Sequence, residues 1–538
     1  MTSTCESHFD LIIIGAGING AGIARDAAMR GLKVLLLDKG DIGSGTSSWS
    51  TRLIHGGLRY LEHGEFGLVR ESLREREILL RIAPHLVRPL PILIPIYANA
   101  RRGWWTIRAG MIAYDLLSFD KSLPRHQMLS AAEALKHAPG LATTDLRSAA
   151  LYWDAQVEFA ERLVLENALS AKAHGAEVIT YARVDKLLIE DRRVCGVEFT
   201  DQLSQQKQSA RARLTLNAAG PWVDQVAAGL GVERMIGGTK GSHIIVPPFP
   251  GAPKSALYVE AKIDQRPFFI IPWNGNNLIG TTDIRYQGDL DNVAIDNSEI
   301  DYLLAETNRL LPGARLTRDS ILFTYSGVRP LAFAGDKDEQ SITRRHFIRD
   351  HAPRLNGFVS IIGGKLTTYR SLSEQAVNLA FKKLGLPAPR CKTHEVPLPG
   401  ASTPDFVSFC KSFKETSGVP DRTGDHLLRV YGARASGVLK LAAENAELAG
   451  VLTPTSGAIK AEVLFAFQQE GAKSLTDCLL RRIMLGLDSS AGINDDEAVA
   501  KTAQDHLGWS DERASNEVAC YREYAEGTRR YSNASSDK

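Results

Sequence analysis

The chain has 538 residues, of which 44% are hydrophobic and 23% are charged, and its formal net charge is +2. This length exceeds what one hydrophobic core can organise and predicts roughly two to four domains. The near-neutral charge argues against a chain-wide polyanion-binding role, so we expect no nucleic-acid partner. The six cysteines include no C-x-x-C pair, which argues against a disulfide framework or a zinc site and predicts no metal.

The sequence also predicts that any contact with a membrane is peripheral. No run of about 18 apolar residues occurs, because Pro89, Pro91 and Pro95 interrupt the most apolar stretch, residues 86–98. The first ten residues lack the basic and apolar regions of a secretion signal. Together with the scattered cysteines, this predicts a reducing compartment and a cytoplasmic location.

The N-terminal region contains the pattern of a dinucleotide-binding βαβ unit. Residues 9–14 and 33–37 are continuous apolar runs, which predict two strands buried on both faces. The turn and helix between them begin with G-x-G-x-x-G: Gly15, Gly17 and Gly20. Such glycines permit a tight turn, close approach of the backbone to a pyrophosphate, and packing of the helix on the strand. Asp38 ends the second strand and can bind a ribose diol, which favours NAD or FAD over NADP.

The middle of the chain alternates predicted helices and strands. Apolar residues at helical spacing predict helices over 65–82, 159–174 and 297–311. Residues 177–190 and 193–200 predict a two-stranded meander inserted into the nucleotide fold. Several strand-like runs within 241–283 predict an antiparallel sheet, and the chain beyond the proline-rich segment 394–404 is helical in pattern.

Two later glycine stretches favour FAD over NAD. They are "LNAAGPW", residues 216–222, and "IIGGKLTTYR", residues 361–370, and each follows an apolar strand. An extended FAD receives contacts from widely separated segments more often than NAD does. Since the sequence contains a single G-x-G-x-x-G fingerprint, both stretches are interpreted as returns of the chain to one FAD.

Six motifs together resemble those of the FAD-dependent glycerol-3-phosphate dehydrogenase family, the respiratory, aerobic-type enzymes. They are "GAGINGAGIARDAAMRGL", "TSSWSTRLIHGGLRYLEHGEF", "KGSHIIVP", "IGTTD", "YSGVRPL" and "GGKLTTYR". The resemblance extends from Phe9 to the C-terminal helical region. It departs at Asp38 and Arg52, where members often have Glu and Lys, and residues 88–113 are less familiar, which leaves the exact polyol phosphate open.

The resemblance implies an α/β fold with a Rossmann-like FAD-binding domain, an interleaved β-rich substrate domain and an all-α C-terminal cap. The implied FAD-binding domain comprises residues 1–90, 145–235 and 330–395, and the substrate domain comprises residues 91–144 and 236–329. The helical domain spans residues 400–528, and a disordered tail spans residues 529–538.

The same resemblance implies oxidation of sn-glycerol 3-phosphate to dihydroxyacetone phosphate. Hydride passes from substrate C2 to flavin N5, and the electrons then pass to quinone. A homodimer attached peripherally to the inner face of the cytoplasmic membrane is also implied. Three alternatives stay open: an oxidase that uses oxygen, a dehydrogenase of a related polyol phosphate such as erythritol phosphate, and a flavin-binding regulatory or scaffold protein without turnover.

The predicted substrate site combines cations with proton-handling groups. Arginine forks and lysine charges suit a phosphate dianion, and the predicted substrate contacts are Arg59, Tyr60, Lys240, Arg329 and Lys365. His55 and His243 are the alternatives for the proton acceptor, because imidazole titrates near neutral pH. Arg329 could instead stabilise a developing alkoxide.

The cofactor contacts are predicted from the same motifs and the implied FAD. They are Gly15, Gly17, Asn19, Gly20, Asp38, Lys39, Thr46, Ser47, Ser48, His55, Gly56, Gly57, Val184, Ala219, Gly220, Gly364, Leu366 and Thr367. The serines provide donors near the pyrophosphate, and the backbone of the "GGK" turn is expected near the flavin.

Residues 100–119 predict an amphipathic helix with two alternative fates. Three arginines flank Trp104 and Trp105, while Ile107, Met111 and Tyr114 share one helical face. Basic residues beside tryptophan suit an interfacial helix on anionic lipid. The alternative is a helix buried against the protein core.

Overall fold

The structure, a computed structural model, describes residues 8–62, 64–98, 100–335, 343–453 and 456–529. Of the predicted tail, only Arg529 lies within these ranges, at the end of the last helix. Strands and helices are numbered in chain order.

The strands are β1 His8–Ile14, β2 Val34–Leu37, β3 Leu53–Ile54, β4 Val87–Tyr97, β5 Gln127–Ser130, β6 Leu146–Val157, β7 Glu177–Ile179, β8 Ala182–Glu190, β9 Arg193–Asp201, β10 Lys207–Asn217, β11 Thr239–Val246, β12 Ala256–Glu260, β13 Pro267–Trp273, β14 Asn276–Gly280, β15 Ile284–Arg285, β16 Phe323–Arg329, β17 Phe347–Asp350 and β18 Phe358–Ile362.

The α-helices are α1 Ile18–Met29, α2 Phe66–Ile82, α3 Trp104–Leu117, α4 Ala131–His137, α5 Ala160–Ala173, α6 Val223–Val226, α7 Asn297–Leu310, α8 Tyr369–Leu384, α9 Phe406–Thr416, α10 Asp421–Tyr431, α11 Ala435–Glu444, α12 Lys460–Gln468, α13 Leu475–Arg481, α14 Asp496–Leu507 and α15 Asp511–Arg529. The predicted helices over 65–82, 159–174 and 297–311 are confirmed as α2, α5 and α7, with ends shifted by one residue.

The first sheet confirms the predicted nucleotide-binding unit. Strand β1 pairs in parallel with β2 on one side and β10 on the other, and the order is β17-β18-β10-β1-β2-β7. Helix α1 packs against α5 and α8. Strands β8 and β9 extend from β10 as an antiparallel meander. The predicted strand 177–190 is split, because Tyr181 has a left-handed φ of 59° and the chain turns there from β7 to β8.

The second sheet has the order β15-β11-β14-β13-β12-β4-β6-β3, with β16 on β11 and β5 on β6. Its pairings are antiparallel except for β12 with β4. The strands within 241–283 pair with one another only in antiparallel fashion, as predicted. Strands β3 and β6 fall in the ranges assigned to the FAD-binding domain, yet they pair in this sheet. The chain therefore passes between the two sheets several times, and the predicted domain boundaries stay a prediction.

The chain from α9 to α15 confirms the predicted all-α C-terminal region. Buried ion pairs join it to the first sheet's helices and loops. Arg162 of α5 pairs with Glu470 at 2.5 Å, and Arg482 pairs with Asp41 at 2.8 Å. The end of α15 reaches the central cavity, where Thr528 accepts a hydrogen bond through its carbonyl from the Thr324 hydroxyl at 2.9 Å.

Candidate functional site

A cavity of about 1530 Å³ is lined by residues of both sheets and by the end of α15. Its wall includes the turn after β1, the end of β2, strands β11 and β16, and the segment after β18. Pockets for a single small ligand usually measure about 300–1,000 Å³. The larger volume is consistent with a dinucleotide and a second small molecule held together.

At one end, which we call the nucleotide end, the wall is mostly backbone. Gly15 has a φ of 104°, and a Cβ on it would lie 2.6 Å from the Ala218 carbonyl oxygen. Gly17 is the residue that precedes α1, and it has no side chain to cap the helix. N–H groups of the first turn other than that of Ile18 are therefore available to an anion. The Ile18 N–H donates to the Ser47 hydroxyl at 3.0 Å.

Asp38 is held rigidly at the end of β2. Its carboxylate accepts hydrogen bonds from the backbone N–H groups of Ala16 at 2.6 Å and Gly40 at 2.9 Å. Burial raises the pKa of Asp38 above its ordinary value, although these two donors oppose the shift. The carboxylate lines the cavity, in the position that the βαβ pattern predicts for a ribose contact.

The segment after β18 returns to the turn after β1, as the sequence predicts. Gly364 has a φ of 101°, and a Cβ on it would lie 2.6 Å from the Asn19 side-chain amide. The Asn19 amide donates to the Gly363 carbonyl at 3.0 Å, and its buried Oδ1 has no hydrogen-bond partner within the described ranges. These glycine cradles, the uncapped helix and the unpaired amide oxygen fit a bound dinucleotide such as FAD.

Most predicted cofactor residues line the cavity. Those that do are Gly15, Gly17, Asn19, Asp38, Lys39, Thr46, Ser47, His55, Gly57, Val184, Ala219, Gly220, Gly364, Leu366 and Thr367. Gly20, Ser48 and Gly56 lie behind the wall instead. A Cβ on Gly20 would lie 1.7 Å from the Gly15 carbonyl oxygen, the Ser48 hydroxyl donates to the Gly43 carbonyl, and the Gly56 N–H donates to the Tyr114 hydroxyl.

The opposite end, which we call the cationic end, is built from charged side chains. Arg329 and Arg344 bind the two oxygens of Asp283, each at 2.9 Å, and Arg329 also donates to the Thr281 hydroxyl at 3.0 Å. Burial would raise the pKa of Asp283, but the two guanidinium groups hold it below its ordinary value. One carboxylate therefore positions two arginine forks at the cavity wall.

Arg344 is a cavity residue that the sequence analysis missed. It stands in "TRR", residues 343–345, which end one residue short of β17 and lie outside the quoted motifs. Its partner Asp283 ends the quoted "IGTTD" motif, which was the available signal. The Arg344 Nη1 atom is buried and has no hydrogen-bond partner in the part of the chain described.

Lys365 completes the cationic end. Its ammonium lies 3.9 Å from the centre of the Tyr60 ring, a cation–π distance. Nζ is buried and makes no hydrogen bond to any described residue. Arg59 and Tyr60 line the same cavity. The three predicted substrate cations Arg59, Arg329 and Lys365 therefore share one cavity.

Lys240 is the predicted substrate contact that lies elsewhere. Its side chain is buried and forms an ion pair with Glu299 at 2.9 Å, and it donates to the Ala294 carbonyl at 3.0 Å. It also pairs with Asp296 at 2.5 Å. With its three donors directed at these oxygens, Lys240 is not part of the cavity wall.

Both candidate histidines line the cavity. His243 on β11 has Nε2 3.0 Å from the Thr51 hydroxyl, and its buried Nδ1 has no hydrogen-bond partner among the described residues. Burial, with Arg329 and Arg52 nearby, lowers the pKa of His243 well below its ordinary value. Burial also lowers the pKa of His55 to about 4, against the influence of Asp154 and with that of Lys365. Both imidazoles are thus neutral near pH 7.

Comparisons with known proteins give a consistent result. A family model described as FAD dependent oxidoreductase matches residues 10–370, and one described as C-terminal domain of alpha-glycerophosphate oxidase matches residues 391–514. The chain is 49% identical to a glycerol-3-phosphate dehydrogenase of Synechocystis sp. over 97% of both chains. It is 40% identical to a D-erythritol 1-phosphate dehydrogenase of Brucella abortus, over 88% of this chain and 93% of the relative.

A solved structure of similar fold is that of the glycerol-3-phosphate dehydrogenase from Bacillus halodurans complexed with FAD. The TM-score is 0.77 at 26% identity, and the match covers 97% of this chain and 96% of that one. The agreement includes the helical C-terminal region, since nearly the whole of both chains is aligned.

Proposed function

Because the chain belongs to the family of FAD-dependent glycerol-3-phosphate dehydrogenases, we propose that it oxidises sn-glycerol 3-phosphate to dihydroxyacetone phosphate and delivers the electrons to quinone. FAD, when bound, supplies the acceptor for the hydride that leaves C2. The observation that carries the proposal is the cationic end, where Arg329, Arg344 and Lys365 line the same cavity as the glycine turn.

The cations are proposed to hold the substrate phosphate. A phosphate dianion suits two arginine forks and a lysine charge, and it would give Lys365 Nζ and Arg344 Nη1 the partners that they lack. Asp283 compensates two guanidinium groups with a single carboxylate, so the local charge stays positive. A non-catalytic flavin-binding protein would have no use for such a site.

His55 or His243 is proposed to accept the proton of the C2 hydroxyl. Each lines the cavity and is neutral near pH 7 because burial lowers its pKa. Loss of a general base costs about 100-fold to 10,000-fold in rate. Asparagine replacement of each, followed through kcat against pH, should therefore identify the base. The histidine whose replacement leaves kcat within about tenfold is not the acceptor.

The proposal is tested by anaerobic addition of sn-glycerol 3-phosphate to the FAD-loaded protein. The visible absorbance of the flavin should bleach, and added quinone should restore it. Failure to bleach at saturating substrate would contradict the proposal. Peroxide formation at the rate of turnover would instead favour an oxidase.

D-erythritol 1-phosphate is the second candidate substrate. The 40% identical relative named for it covers most of this chain, and a polyol phosphate would present the same phosphate to the cationic end. A comparison of kcat/KM for the two substrates decides between them. The substrate with the higher kcat/KM is the one whose transition state the cavity stabilises more.

A membrane-facing surface is proposed on α2 and α3. The stripe Ile107, Met111 and Tyr114 is buried against the core, so the predicted alternative of a core-packed face holds for these residues. The opposite side of the same region exposes large apolar side chains: Phe66, Trp105, Ile112, Leu116 and Phe119. No helix in the described ranges is both long and apolar enough to cross a membrane.

This surface suits peripheral attachment to the inner leaflet of the cytoplasmic membrane, because arginines accompany the apolar groups. Arg70 lies over Phe119, with its guanidinium carbon 4.6 Å from the ring centre, and Arg108 lies over Trp104 at 4.9 Å. Trp105→Ala with Phe119→Ala should move the protein from sedimented anionic vesicles to the supernatant. Val407→Ala, an equally exposed apolar residue on α9, is the control. Unchanged co-sedimentation of the double variant with vesicles would contradict a membrane-facing role for this surface.

The expected homodimer is a separate proposal, and sedimentation equilibrium of the protein without vesicles tests it.

A further inference from the structure

A short segment between β15 and α7 starts and ends at the second sheet and contacts the first sheet in between. Residues 286–296, which we call the strap, contribute residues 290–295 to the cavity wall. The strap directly follows β15 of the second sheet in the chain. Its Asp291 nevertheless forms an ion pair with Lys39, at the end of β2 in the first sheet. Lys39 also lies over the Trp222 ring, 4.3 Å from its centre. The strap therefore meets the first sheet beside Asp38.

Both ends of the strap are tied to the start of β11. At the first end the Tyr286 N–H donates to the Gly238 carbonyl at 3.1 Å. At the other end Lys240 donates to the Ala294 carbonyl at 3.0 Å and pairs with Asp296 and Glu299. Lys240 is only 3% exposed. Glu299 is held in turn by the hydroxyls of two neighbouring residues, Ser242 and Thr282.

The middle of the strap is stiffened by its own hydrogen bonds. The Asp289 carboxylate accepts from the Asp291 N–H at 2.9 Å and from the Asn292 amide at 2.6 Å. The Tyr286 hydroxyl donates to the Asp289 carbonyl at 2.8 Å. These bonds hold Asp291 in a preformed turn that faces Lys39. Formation of the ion pair therefore costs little conformational entropy of the strap backbone.

We propose that the strap retains FAD by closing over the nucleotide end, with the Lys39–Asp291 ion pair as its latch and Lys240 as the residue that positions its base. The latch side chains are 37% and 56% exposed, so the pair can open and the cofactor can enter. Lys39 acts on the cofactor through the strap rather than as a dedicated phosphate ligand. The inference rests on FAD binding and is independent of which polyol phosphate is oxidised.

The latch is tested by exchanging its charges and measuring FAD release from the loaded protein as a rise in flavin fluorescence. Lys39→Asp and Asp291→Lys should each accelerate release by about fivefold, the upper range for an exposed ion pair. The double variant, which restores the pair in reverse, should return to within about twofold of the parent. Asp301→Lys is the matched control. Asp301 lies on α7, is 65% exposed, pairs with Arg318 and is not part of the cavity wall.

Two results would overturn the latch. One is equal release from the parent and all three variants. The other is a double variant that releases FAD as fast as Lys39→Asp does, because Lys39 would then contact the phosphates directly. Because both latch side chains are exposed, their variants should fold. The latch can therefore be tested even if a variant of the buried Lys240 does not fold.

The positioning role of Lys240 is tested separately. Lys240→Met should accelerate FAD release more than either latch variant, since it frees Ala294 and leaves Glu299 buried without its ammonium. A raised KM for the polyol phosphate with unchanged FAD release would overturn this role and restore Lys240 as a substrate contact. Lys240→Arg, which keeps the charge, should recover part of the retention.

Discussion

At the nucleotide end the cavity wall is backbone, whereas at the cationic end it is side chains brought from distant segments. Gly15 and Gly364 have φ values of 104° and 101°, and each faces a neighbour too close for a Cβ. At the other end, Arg329, Arg344 and Lys365 depend on Asp283 and Tyr60 for their positions. The first end should respond to substitution through steric exclusion, and the second through graded changes in affinity.

The largest expected effect is that of Gly15→Ala. The new Cβ would meet the Ala218 carbonyl oxygen at 2.6 Å, in a left-handed backbone conformation. We expect purified protein with less than about a tenth of the parent's FAD content. Flavin absorbance per protein measures this.

Gly175→Ala is the control for backbone strain alone. Gly175 has a φ of 90°, but a Cβ there meets nothing within 4 Å, so the cost is limited to about 1–2 kcal/mol of stability. FAD loss in both variants would show that strain, rather than contact at the turn, explains the Gly15 effect.

The next effect is that of Arg344→Met at the cationic end. Loss of one charge-assisted contact costs about 3 kcal/mol, which predicts a rise in KM of about 100-fold. FAD content should stay at the parent level, because Arg344 lies at the other end. Arg345→Met, an exposed neighbour outside the cavity wall, is the control. A loss of FAD with unchanged KM would contradict the division into two ends.

The smallest effect is an effect on stability, and it concerns His55 on the cavity wall. The backbone N–H of His55 donates to the Thr367 hydroxyl at 3.1 Å, and the charge of Lys365 helps to lower the pKa of its imidazole. The pKa of about 4 lies below the ordinary value of 6.5, so the unfolded chain takes up a proton that the folded protein resists. The stability contributed by neutral His55 is complete above pH 6.5 and declines as the pH falls toward 4.

His55→Asn should remove this decline, which amounts to at most about 1.4 kcal/mol per pH unit. Urea unfolding of the two proteins at pH 7, 6 and 5 would measure the difference. His174→Asn, at the end of α5 outside the cavity wall, is the control. An identical pH slope in parent and His55→Asn would contradict the lowered pKa.

The two ends also differ in how far the sequence predicts them. The βαβ unit that ends at Asp38 was predictable. Its strand, glycines, helix and acid lie within thirty residues and specify one local geometry. Arg344 was missed because it lies outside any glycine turn, and its position depends on Asp283, sixty-one residues away. Lys240, in "KGSHIIVP", was predicted to contact the substrate but lies outside the cavity wall. A lysine in a motif indicates a charge, but the sequence does not show which carboxylates the charge will pair with.

By itself, the sequence determined the nucleotide-binding unit and the helical C-terminal region, since periodicity and glycine spacing are local properties. It also favoured FAD, through glycine stretches at 216–222 and 361–370 that are far apart in the chain. Only the tertiary structure decided which cations meet at the cavity, that Lys240 supports the strap, and which side of α3 is exposed. Those outcomes depend on the desolvation of charged and apolar groups by elements remote in sequence. A linear pattern cannot specify such burial, because it depends on which surfaces the fold brings together.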